Sequence, residues 1–149
     1  MYTFRRAALA DQATIIYHRR QMFLDMGSPE RAEMAERVFP GWLEPALQDG
    51  TYLGLFAEHE GKVVAGTGIM FYHWLPGPDH KTLRGYLLNV FVEAEHRRKG
   101  LAKELVRQAL EICQERGITV VTLHASEMGR PVYESLGFKP LNEMIWRVG

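Results

Sequence analysis

Residues 89–106 read NVFVEAEHRRKGLAKELV, and this stretch decides the fold. Its apolar beginning predicts the end of a buried strand, and the apolar residues that recur after Gly100 predict an amphipathic helix. A strand that turns into a helix leaves free backbone N–H groups at the helix N-terminus, where anions bind. Three cations, Arg97, Arg98 and Lys99, precede the helix, although the positive end of a helix dipole favours acidic residues. The pattern indicates either a bound anion or a solvated basic surface.

Strand and helix patterns continue on both sides of this junction. Apolar runs predict strands, apolar spacing of three to four residues predicts helices, and Gly or Pro separates them. In chain order we expect a strand at 2–7, a helix from the Asp11 cap to about Met26, a second helix from Ser28-Pro29 towards Gln48 with its candidate break at Pro40-Gly41, strands at 51–58, 62–74 and 84–92, a helix ending at Arg116, a strand at 118–124, a helix at 129–136 and a strand at 142–148. The first helix has one predicted buried side, formed by Ile15, Ile16, Arg19, Phe23 and Met26.

The element order β-α-α-β-β-β-α-β-α-β indicates an α/β or α+β fold with a mixed sheet and helices on both faces. The run at 62–74 is apolar on both faces, which is typical of a central strand. Gly66 and Gly68 within this run predict a bulge or a close backbone approach. No linker or repeat interrupts the sequence, so we expect residues 1–149 to form a single domain.

The composition restricts the classes of function that the chain can have. The chain has 149 residues, of which 46% are hydrophobic, and it carries 18 Lys+Arg against 18 Asp+Glu. This neutral balance argues against broad binding to nucleic acid or to an anionic membrane. No apolar run approaches the ~20 residues of a membrane span, and the N-terminus lacks the apolar core of a signal peptide. We therefore expect a soluble, cytoplasmic protein with neither nucleic-acid nor membrane partners.

Neither cysteine nor metal chemistry is indicated. The single cysteine, Cys113, excludes an internal disulfide, and its place on the apolar side of a helix favours a core residue. The histidines show no spacing typical of metal ligands, so no metal site is predicted.

The turn at Gly100 suits a pyrophosphate. Gly100 has no side chain that would keep a phosphate from the backbone, and Ala102 is also small. The cations would then face a bound anion instead of the bare helix dipole. The stretch is neither a P-loop nor the dinucleotide fingerprint, because both glycine patterns are absent. On physical grounds alone, a basic surface cluster at the turn explains these residues about equally well.

Two motifs together resemble the GCN5-related N-acetyltransferases (GNAT), a family that uses acetyl-coenzyme A (acetyl-CoA). The family signature [R/Q]-x-x-G-x-[G/A] matches RRKGLA at 97–102, with Ala as an accepted variant at the last position. The segment GRPVYESLGF at 129–138 is similar to the family's late Tyr…Gly-Phe segment. The resemblance covers nearly the whole chain and implies a mostly antiparallel, twisted sheet that splays at the cofactor site.

The resemblance assigns the cofactor to one strand and one loop. The backbone of the strand would pair with the pantetheine arm, and the loop amides at 98–103 would bind the pyrophosphate. Many relatives have an Asn seven residues before the catalytic Tyr that bonds the pantetheine; here Ser126 stands in its place and reaches less far. The cofactor-binding residues implied in this way are Val90, Phe91, Val92, Arg97, Arg98, Lys99, Gly100, Leu101, Ala102, Lys103 and Ser126.

The family's reaction is direct attack of an amine on the acetyl thioester. By resemblance, the backbone N–H of Phe91 or of a neighbour polarises the carbonyl. Tyr133 matches the general acid that protonates the leaving thiolate, and packing of the short helix is its alternative role. The base that deprotonates the amine is not resolved. The candidates are Asn89 (through a held water), His73, Tyr86, Glu127 and His124.

The sequence thus predicts an N-acetyltransferase that moves an acetyl group from acetyl-CoA to a primary amine of a small molecule or peptide. The lack of an evident base leaves open a non-catalytic coenzyme A sensor of the same fold. A nucleic-acid-binding protein is a poor third alternative. Dimers are common in the family, so a homodimer is a further expectation. Met34, Phe39, Trp42 and the loop at 75–83 are candidates to line the acceptor site, or to serve as core and surface turn.

Overall fold

The computed structural model describes all residues, 1–149. Two short 3₁₀ turns, at Leu9–Asp11 and Ala94–His96, accompany five strands and five helices. The strands are β1 (Thr3–Arg6), β2 (Tyr52–His59), β3 (Lys62–His73), β4 (Leu83–Val92) and β5 (Val121–Leu123), and the helices are α1 (Gln12–Asp25), α2 (Pro29–Arg37), α3 (Phe39–Asp49), α4 (Leu101–Glu115) and α5 (Arg130–Ser135).

The five strands form one sheet in the order β1-β2-β3-β4-β5. The first four strands pair antiparallel, because short connections or the α1–α3 excursion return the chain in the opposite direction. β4 and β5 pair in parallel, because α4 carries the chain back between them. The expectation of a mixed, mostly antiparallel sheet with helices is therefore confirmed.

Helices cover both faces of the sheet. On one face, α4 packs Leu105 and Cys113 into the larger core, which confirms the predicted core position of Cys113. On the other face, α1 and α3 contribute Ile15 and Leu43 to a second core that also contains Phe56 from β2. Burial of each large apolar side chain contributes about 1.5–3 kcal/mol, so the two cores hold the sheet firmly between the helical layers.

A β-bulge interrupts β4 at Asn89. Gly66 of β3 lies opposite Phe91, whereas Gly68 lies opposite Leu88, so two steps along β3 match three steps along β4. Asn89 is the extra residue, with φ of 56°, a left-handed conformation that Asn tolerates better than most residues do. The bulge predicted from the two glycines is confirmed in place, although the additional residue belongs to β4.

Both β3 glycines also meet close neighbours from the α1 side. A Cβ atom on Gly68 would lie 2.0 Å from the Tyr52 hydroxyl oxygen. A Cβ atom on Gly66 would lie 2.8 Å from Nδ1 of His18. The predicted close approach is therefore also confirmed, and it lets the two rings lie directly against the sheet beside the bulge.

The region between β1 and β2 contains one helix more than predicted. The expected second helix is two helices, α2 and α3, and the break falls at Val38 instead of Pro40-Gly41. Pro40 lies in the first turn of α3, where its missing N–H costs no helical hydrogen bond. Asp11 stands at the N-cap position of α1, but its carboxylate binds the Arg5 guanidinium and makes no cap.

The last part of the chain contains less sheet than predicted. The strand expected at 118–124 is reduced to β5, because its parallel pairing with β4 ends at Leu87 and Leu123. The strand expected at 142–148 is wrong: residues 139–149 form no strand and no backbone hydrogen bond. Alternating apolar residues become a strand only where a partner offers backbone groups. The observed order is therefore β-α-α-α-β-β-β-α-β-α.

Candidate active site

The sheet opens where β4 extends beyond the end of β5. The parallel ladder joins β4 to β5 only over residues 85–87, and β4 then continues to Val92 without a partner on that side. The far side of the same residues remains paired with β3. The splay implied by the family resemblance is therefore present, and it exposes one backbone edge of β4 beyond Leu87.

Alternation along the β3–β4 ladder identifies the backbone groups on that edge. The Glu93 N–H donates to the Val64 carbonyl at 2.8 Å, so Glu93 faces β3. Consecutive residues of an antiparallel ladder face alternately towards and away from the partner. Val92 therefore faces the open side, and its carbonyl accepts a hydrogen bond from Arg97 Nε at 2.9 Å. Val90 faces the open side by the same alternation.

A row of free amides follows the open edge. Within the protein, the first helical N–H of α4 that finds a backbone acceptor is that of Glu104, which donates to the Gly100 carbonyl at 3.1 Å. The six preceding amides, at 98–103, have no backbone acceptor, and no side chain caps the helix. Arg98 has φ of 63°, which turns the loop sharply before α4 begins. These free amides lie at the helix N-terminus, where the sequence predicts that an anion binds.

Gly100 is the residue that makes this loop accessible. Its φ is 78°, a left-handed conformation that glycine adopts without strain. A Cβ atom added there would meet no protein atom within 4 Å, so the space in front of the backbone is open. The loop therefore has room for a phosphate group at Gly100, beside backbone donors that have no acceptor within the protein.

The three cations of the loop are not equivalent. Arg97 is held within the protein, because its guanidinium donates to Asp25 at the end of α1 at 2.9 Å. The Arg97 guanidinium also lies 6.0 Å from the centroid of the Phe91 ring. Arg98 and Lys99 are exposed and form no ion pair, so both remain available to an anion.

Tyr133 and Ser126 lie together beyond β5. A Cβ on Gly129 would lie 3.0 Å from the Tyr133 ring and 3.2 Å from the Ser126 hydroxyl oxygen, so both residues surround Gly129. The Ser126 hydroxyl accepts the Gly129 N–H at 3.1 Å, which gives Ser126 a structural role before α5. The Tyr133 ring packs on Phe138, and burial raises the pKa of its phenol. The packing given as the alternative role of Tyr133 is therefore present, and burial also favours the protonated phenol that a general acid needs.

On the opposite side of β4, three polar side chains meet at the bulge. Asn89, only 3% exposed, donates from its amide to the Tyr52 hydroxyl at 3.0 Å. Its Oδ1 accepts a hydrogen bond from Arg19 at 2.7 Å. Arg19 comes from α1, Tyr52 from β2 and Asn89 from β4. The sequence named Asn89 as a candidate, but the contact with Arg19 and Tyr52 was missed.

The signal for this cluster lay in two polar residues at apolar positions. Arg19 falls on the predicted buried side of α1, and Asn89 interrupts an otherwise apolar strand. His18, next to Arg19, is also buried, at 3% exposed, and its ring lies 5.1 Å from that of Phe91. Burial lowers the pKa of His18 to about 4, so its imidazole is neutral at pH 7. Met26, predicted on the same side, is instead exposed.

The candidate bases differ in their distance from the open edge. His73 lies opposite Leu83, seven residues before Val90, which is roughly 20 Å along an extended strand. Tyr86 lies on β4 itself, half-buried, and burial raises its pKa. His124 and Glu127 are exposed in the segment between β5 and α5. Along β4, Asn89 therefore lies within the open part of the strand, whereas His73 lies at the other end.

The remaining acceptor-site candidates lie either next to the bulge or far from it. Phe39 stacks on Trp42, and Trp42 packs edge-on against Tyr52, so these rings adjoin the bulge cluster. Met34 is exposed on α2. The loop at 75–83 precedes β4 and contacts the chain before β5, where Asp79 accepts the Thr119 hydroxyl at 2.6 Å. This loop thus lies at the end of β4 that is remote from Gly100.

Two further features concern metals and membranes. No group of three or more His, Cys, Asp or Glu side chains is arranged to hold a metal ion. None of the helices has both the length and the apolar character needed to cross a bilayer.

A family model described as an acetyltransferase (GNAT) domain matches residues 3–141. The solved structure of a GCN5-related N-acetyltransferase from Ralstonia eutropha JMP134 is similar to this chain, with a TM-score of 0.93 and 36% identity over 99% of both chains. A predicted acetyltransferase from Clostridium acetobutylicum, solved with acetyl-CoA, gives a TM-score of 0.91 and 25% identity over 99% of this chain and 96% of that one.

Two human proteins are similar in sequence over a shorter region. N-acetyltransferase 8 from Homo sapiens is 34% identical over 95 residues, which are 62% of this chain and 40% of that protein. N-acetyltransferase 8B from Homo sapiens is 38% identical over 98 residues, again 62% of this chain and 40% of that protein. The chain therefore spans about 40% of the length of these curated relatives.

Proposed function

This chain belongs to the GNAT acetyltransferase family, and we propose that it transfers an acetyl group from acetyl-CoA to a primary amine. One observation carries the proposal: the open edge of β4 leads directly into six backbone amides without acceptors at 98–103. The pantetheine arm that carries the thioester needs an open strand edge, and the pyrophosphate needs free backbone amides next to that edge. A basic surface cluster would need neither the open edge nor the free amides.

The proposed cofactor site uses backbone more than side chains. The amides at 98–103 would bind the pyrophosphate, with Gly100 leaving the approach clear. Arg98 and Lys99 would add charge from solvent, where each contact contributes little. Val90 and Val92 would pair with the pantetheine arm through their outward backbone groups. The Clostridium acetobutylicum relative, solved with acetyl-CoA, supports acetyl-CoA as the donor.

A backbone N–H of β4 would polarise the acetyl carbonyl. The family resemblance assigns this role to Phe91 or to a neighbour. Ladder alternation directs the Phe91 N–H towards β3, whereas that of Val90 faces the open side. We therefore favour the Val90 N–H as the donor. A fixed donor of this kind stabilises developing negative charge without reorganisation during the reaction.

Tyr133 would supply the proton that the leaving thiolate needs. Its phenol is half-buried, and burial raises its pKa above the ordinary value of 10, so it holds its proton at neutral pH. A buried phenol is therefore a donor, not a base, in this site. The attacking amine would lose its proton on the other side of β4, through a water held beside Asn89. Burial also raises the pKa of Tyr86, so the same argument makes its phenol a donor and not the base.

Two measurements test the proposal. Calorimetry with acetyl-CoA should give saturable binding, and thiol release should follow when a primary amine from a chemically broad panel is added. Absence of binding at near-millimolar acetyl-CoA would exclude the proposed cofactor. Binding without thiol release for any amine would favour the non-catalytic coenzyme A sensor that the sequence left open.

A further inference from the structure

We propose that the acceptor is an amine that also carries a carboxylate, and that the guanidinium of Arg19 binds this carboxylate. The inference rests on the proposed acetyl transfer and names the chemical class of its acceptor. An amino acid, free or modified on its side chain, has the required pair of groups. A peptide N-terminus does not, because its adjacent carboxyl group is an amide.

Arg19 is a half-buried cation without a counter-ion. It forms no ion pair, whereas the neighbouring Arg20 pairs with Glu36 and Arg5 pairs with both Asp11 and Glu58. Its single hydrogen bond within the protein runs to the neutral Asn89 amide. Removing a charge from water is costly unless a partner compensates for it. The missing partner is therefore expected to arrive with a ligand.

The surroundings of Arg19 leave the right groups free. The Phe23 and Phe39 rings lie 4.8 and 5.1 Å from the guanidinium carbon, measured to their centroids. Aromatic rings contact the flat guanidinium but accept none of its N–H donors in the plane. Since a guanidinium has five N–H donors and Asn89 takes one, a planar carboxylate can bind the remaining fork through two parallel hydrogen bonds.

The position of Arg19 limits the distance between the amine and the carboxylate of the acceptor. The guanidinium touches Asn89, and Asn89 directly precedes Val90, the favoured carbonyl-polarising residue. Consecutive Cα atoms are about 3.8 Å apart, so the cation lies within about 10 Å of the Val90 N–H. An amine that attacks a carbonyl held there can therefore carry its carboxylate only a few bonds away. This upper limit admits α-amino acids and their longer homologues.

A purely structural role would make a different prediction. If Arg19 served only to hold the Asn89 side chain, replacing it would slow every acceptor equally. If Arg19 binds the acceptor, the loss depends on whether that acceptor carries a carboxylate. Matched pairs of amines separate the two roles: phenylalanine with phenethylamine, and leucine with isoamylamine, differ only by the carboxylate.

The decisive experiment measures kcat and KM for both members of each pair with the full chain and with Arg19→Gln. We expect the unaltered protein to prefer the amino acid, and Arg19→Gln to raise its KM roughly 10- to 100-fold, which is 1.4–2.8 kcal/mol. The KM of the decarboxylated amine should change less than twofold. Arg20→Gln is the control, because it removes the next arginine of α1, which already has a carboxylate partner.

Equal KM changes for both members of a pair, or no preference for the amino acid in the unaltered protein, would overturn the assignment. A second measurement does not depend on the variant. The amine-free acid 3-phenylpropanoate should inhibit competitively against phenethylamine, while the neutral 3-phenylpropanamide should not, and equal inhibition by the two would also overturn it. If no amine of any kind is acetylated, the proposed function fails, and calorimetry with 3-phenylpropanoate still tests the Arg19 site.

Discussion

The two sides of β4 offer different groups to the proposed ligands. On the side of Gly100, an open backbone edge and six consecutive free amides form the proposed cofactor site. On the side of α1, side chains from three separate elements converge on Asn89. The first site is exposed and makes few contacts within the protein, whereas the second is buried and linked to the core. Substitutions in the first site should therefore weaken binding with little loss of stability, whereas substitutions in the second should also affect folding.

The largest effect is expected from Gly100→Glu. A carboxylate among the free amides would repel a phosphate, and like charges in contact cost several kcal/mol, so we expect the Kd for acetyl-CoA to rise roughly 10³-fold. Stability should fall by only about 1 kcal/mol, from the backbone strain of a side chain at positive φ. Titration calorimetry and thermal unfolding measure the two effects.

Gly50→Glu is the matched control for that variant. Gly50 has φ of 81° and equally open space, but it ends α3. It should suffer the same strain without loss of acetyl-CoA binding. Comparable losses of binding in the two variants would contradict the distinction between the sides of β4.

The next effect is a pH dependence on the α1 side. Burial lowers the pKa of folded His18 to about 4, while an unfolded histidine keeps a pKa near 6.5. As pH falls through 6.5 the unfolded chain binds a proton that the folded protein does not bind until about pH 4. Folding should therefore lose about 3 kcal/mol between these values.

Urea unfolding at several pH values, compared between the unaltered protein and His18→Gln, isolates this contribution. The variant should lose less stability on acidification, because its side chain does not titrate. The exposed His124→Gln variant controls for removal of a histidine. Parallel pH profiles for all three proteins would show that His18 is not held neutral by burial.

Tyr133→Phe should affect turnover without affecting binding. Loss of a general acid lowers kcat by about 10²-fold, whereas the Kd for acetyl-CoA should stay within twofold because the ring packing on Phe138 is retained. Since burial raises the pKa of Tyr133, its phenol should remain protonated at pH values above 10, the ordinary pKa of a tyrosine. Tyr72→Phe, on β3, is the control. An unchanged kcat in Tyr133→Phe would leave Tyr133 with packing alone.

Gly68→Ala should destabilise the protein by about 2 kcal/mol, through overpacking of a filled space. The added Cβ would lie 2.0 Å from the Tyr52 hydroxyl oxygen, so Tyr52 must move from its bond with Asn89. Denaturant unfolding gives the value. Gly41→Ala adds the same methyl group to α3, where nothing lies within 4 Å, and should be neutral or slightly stabilising. Equal stability of the two variants would contradict the tight approach at the bulge.

The smallest effect is expected from Lys99→Gln. An exposed charge contributes less than about 1 kcal/mol, so acetyl-CoA binding should weaken by roughly two- to fivefold. The loss should shrink as salt is added, because salt screens exposed charges. Lys62→Gln, at the start of β3, should leave binding unchanged. A loss in Lys99→Gln as large as that in Gly100→Glu would show that charge, not backbone geometry, carries the phosphate site.

The same contrast explains which parts were predictable. The cofactor side depends on seven consecutive residues, 97–103, and on backbone groups whose geometry follows from a strand–turn–helix pattern. The proposed acceptor side depends on Arg19, Tyr52 and Asn89, which only the fold brings together. Arg19 and Asn89 were visible as polar interruptions of apolar patterns, but no local spacing connects them with each other or with Tyr52.

The errors in the fold have a similar origin. The break at Val38 and the short β5 are decided by packing against other elements, not by the strong local signals at Pro40-Gly41 or 118–124. The segment at 142–148 has a strand pattern but no partner strand, and it leaves Trp146 83% exposed. The homodimer and the identity of the base remain predictions, since neither depends on a pattern along the chain.

The bulge at Asn89 changes which residues of β4, odd-numbered or even-numbered, direct their backbone groups away from β3. Before it, odd-numbered residues such as Gly85 direct their backbone towards β5; after it, even-numbered residues such as Val92 face outwards. The number of residues between Gly85 and Val92 thus fixes the outward direction of the Val90 N–H, whereas the identity of these residues does not. Deleting one residue there would reverse that direction while leaving every neighbouring side chain chemically intact. The length of this segment therefore matters more for the direction of the Val90 N–H than the chemistry of its side chains does.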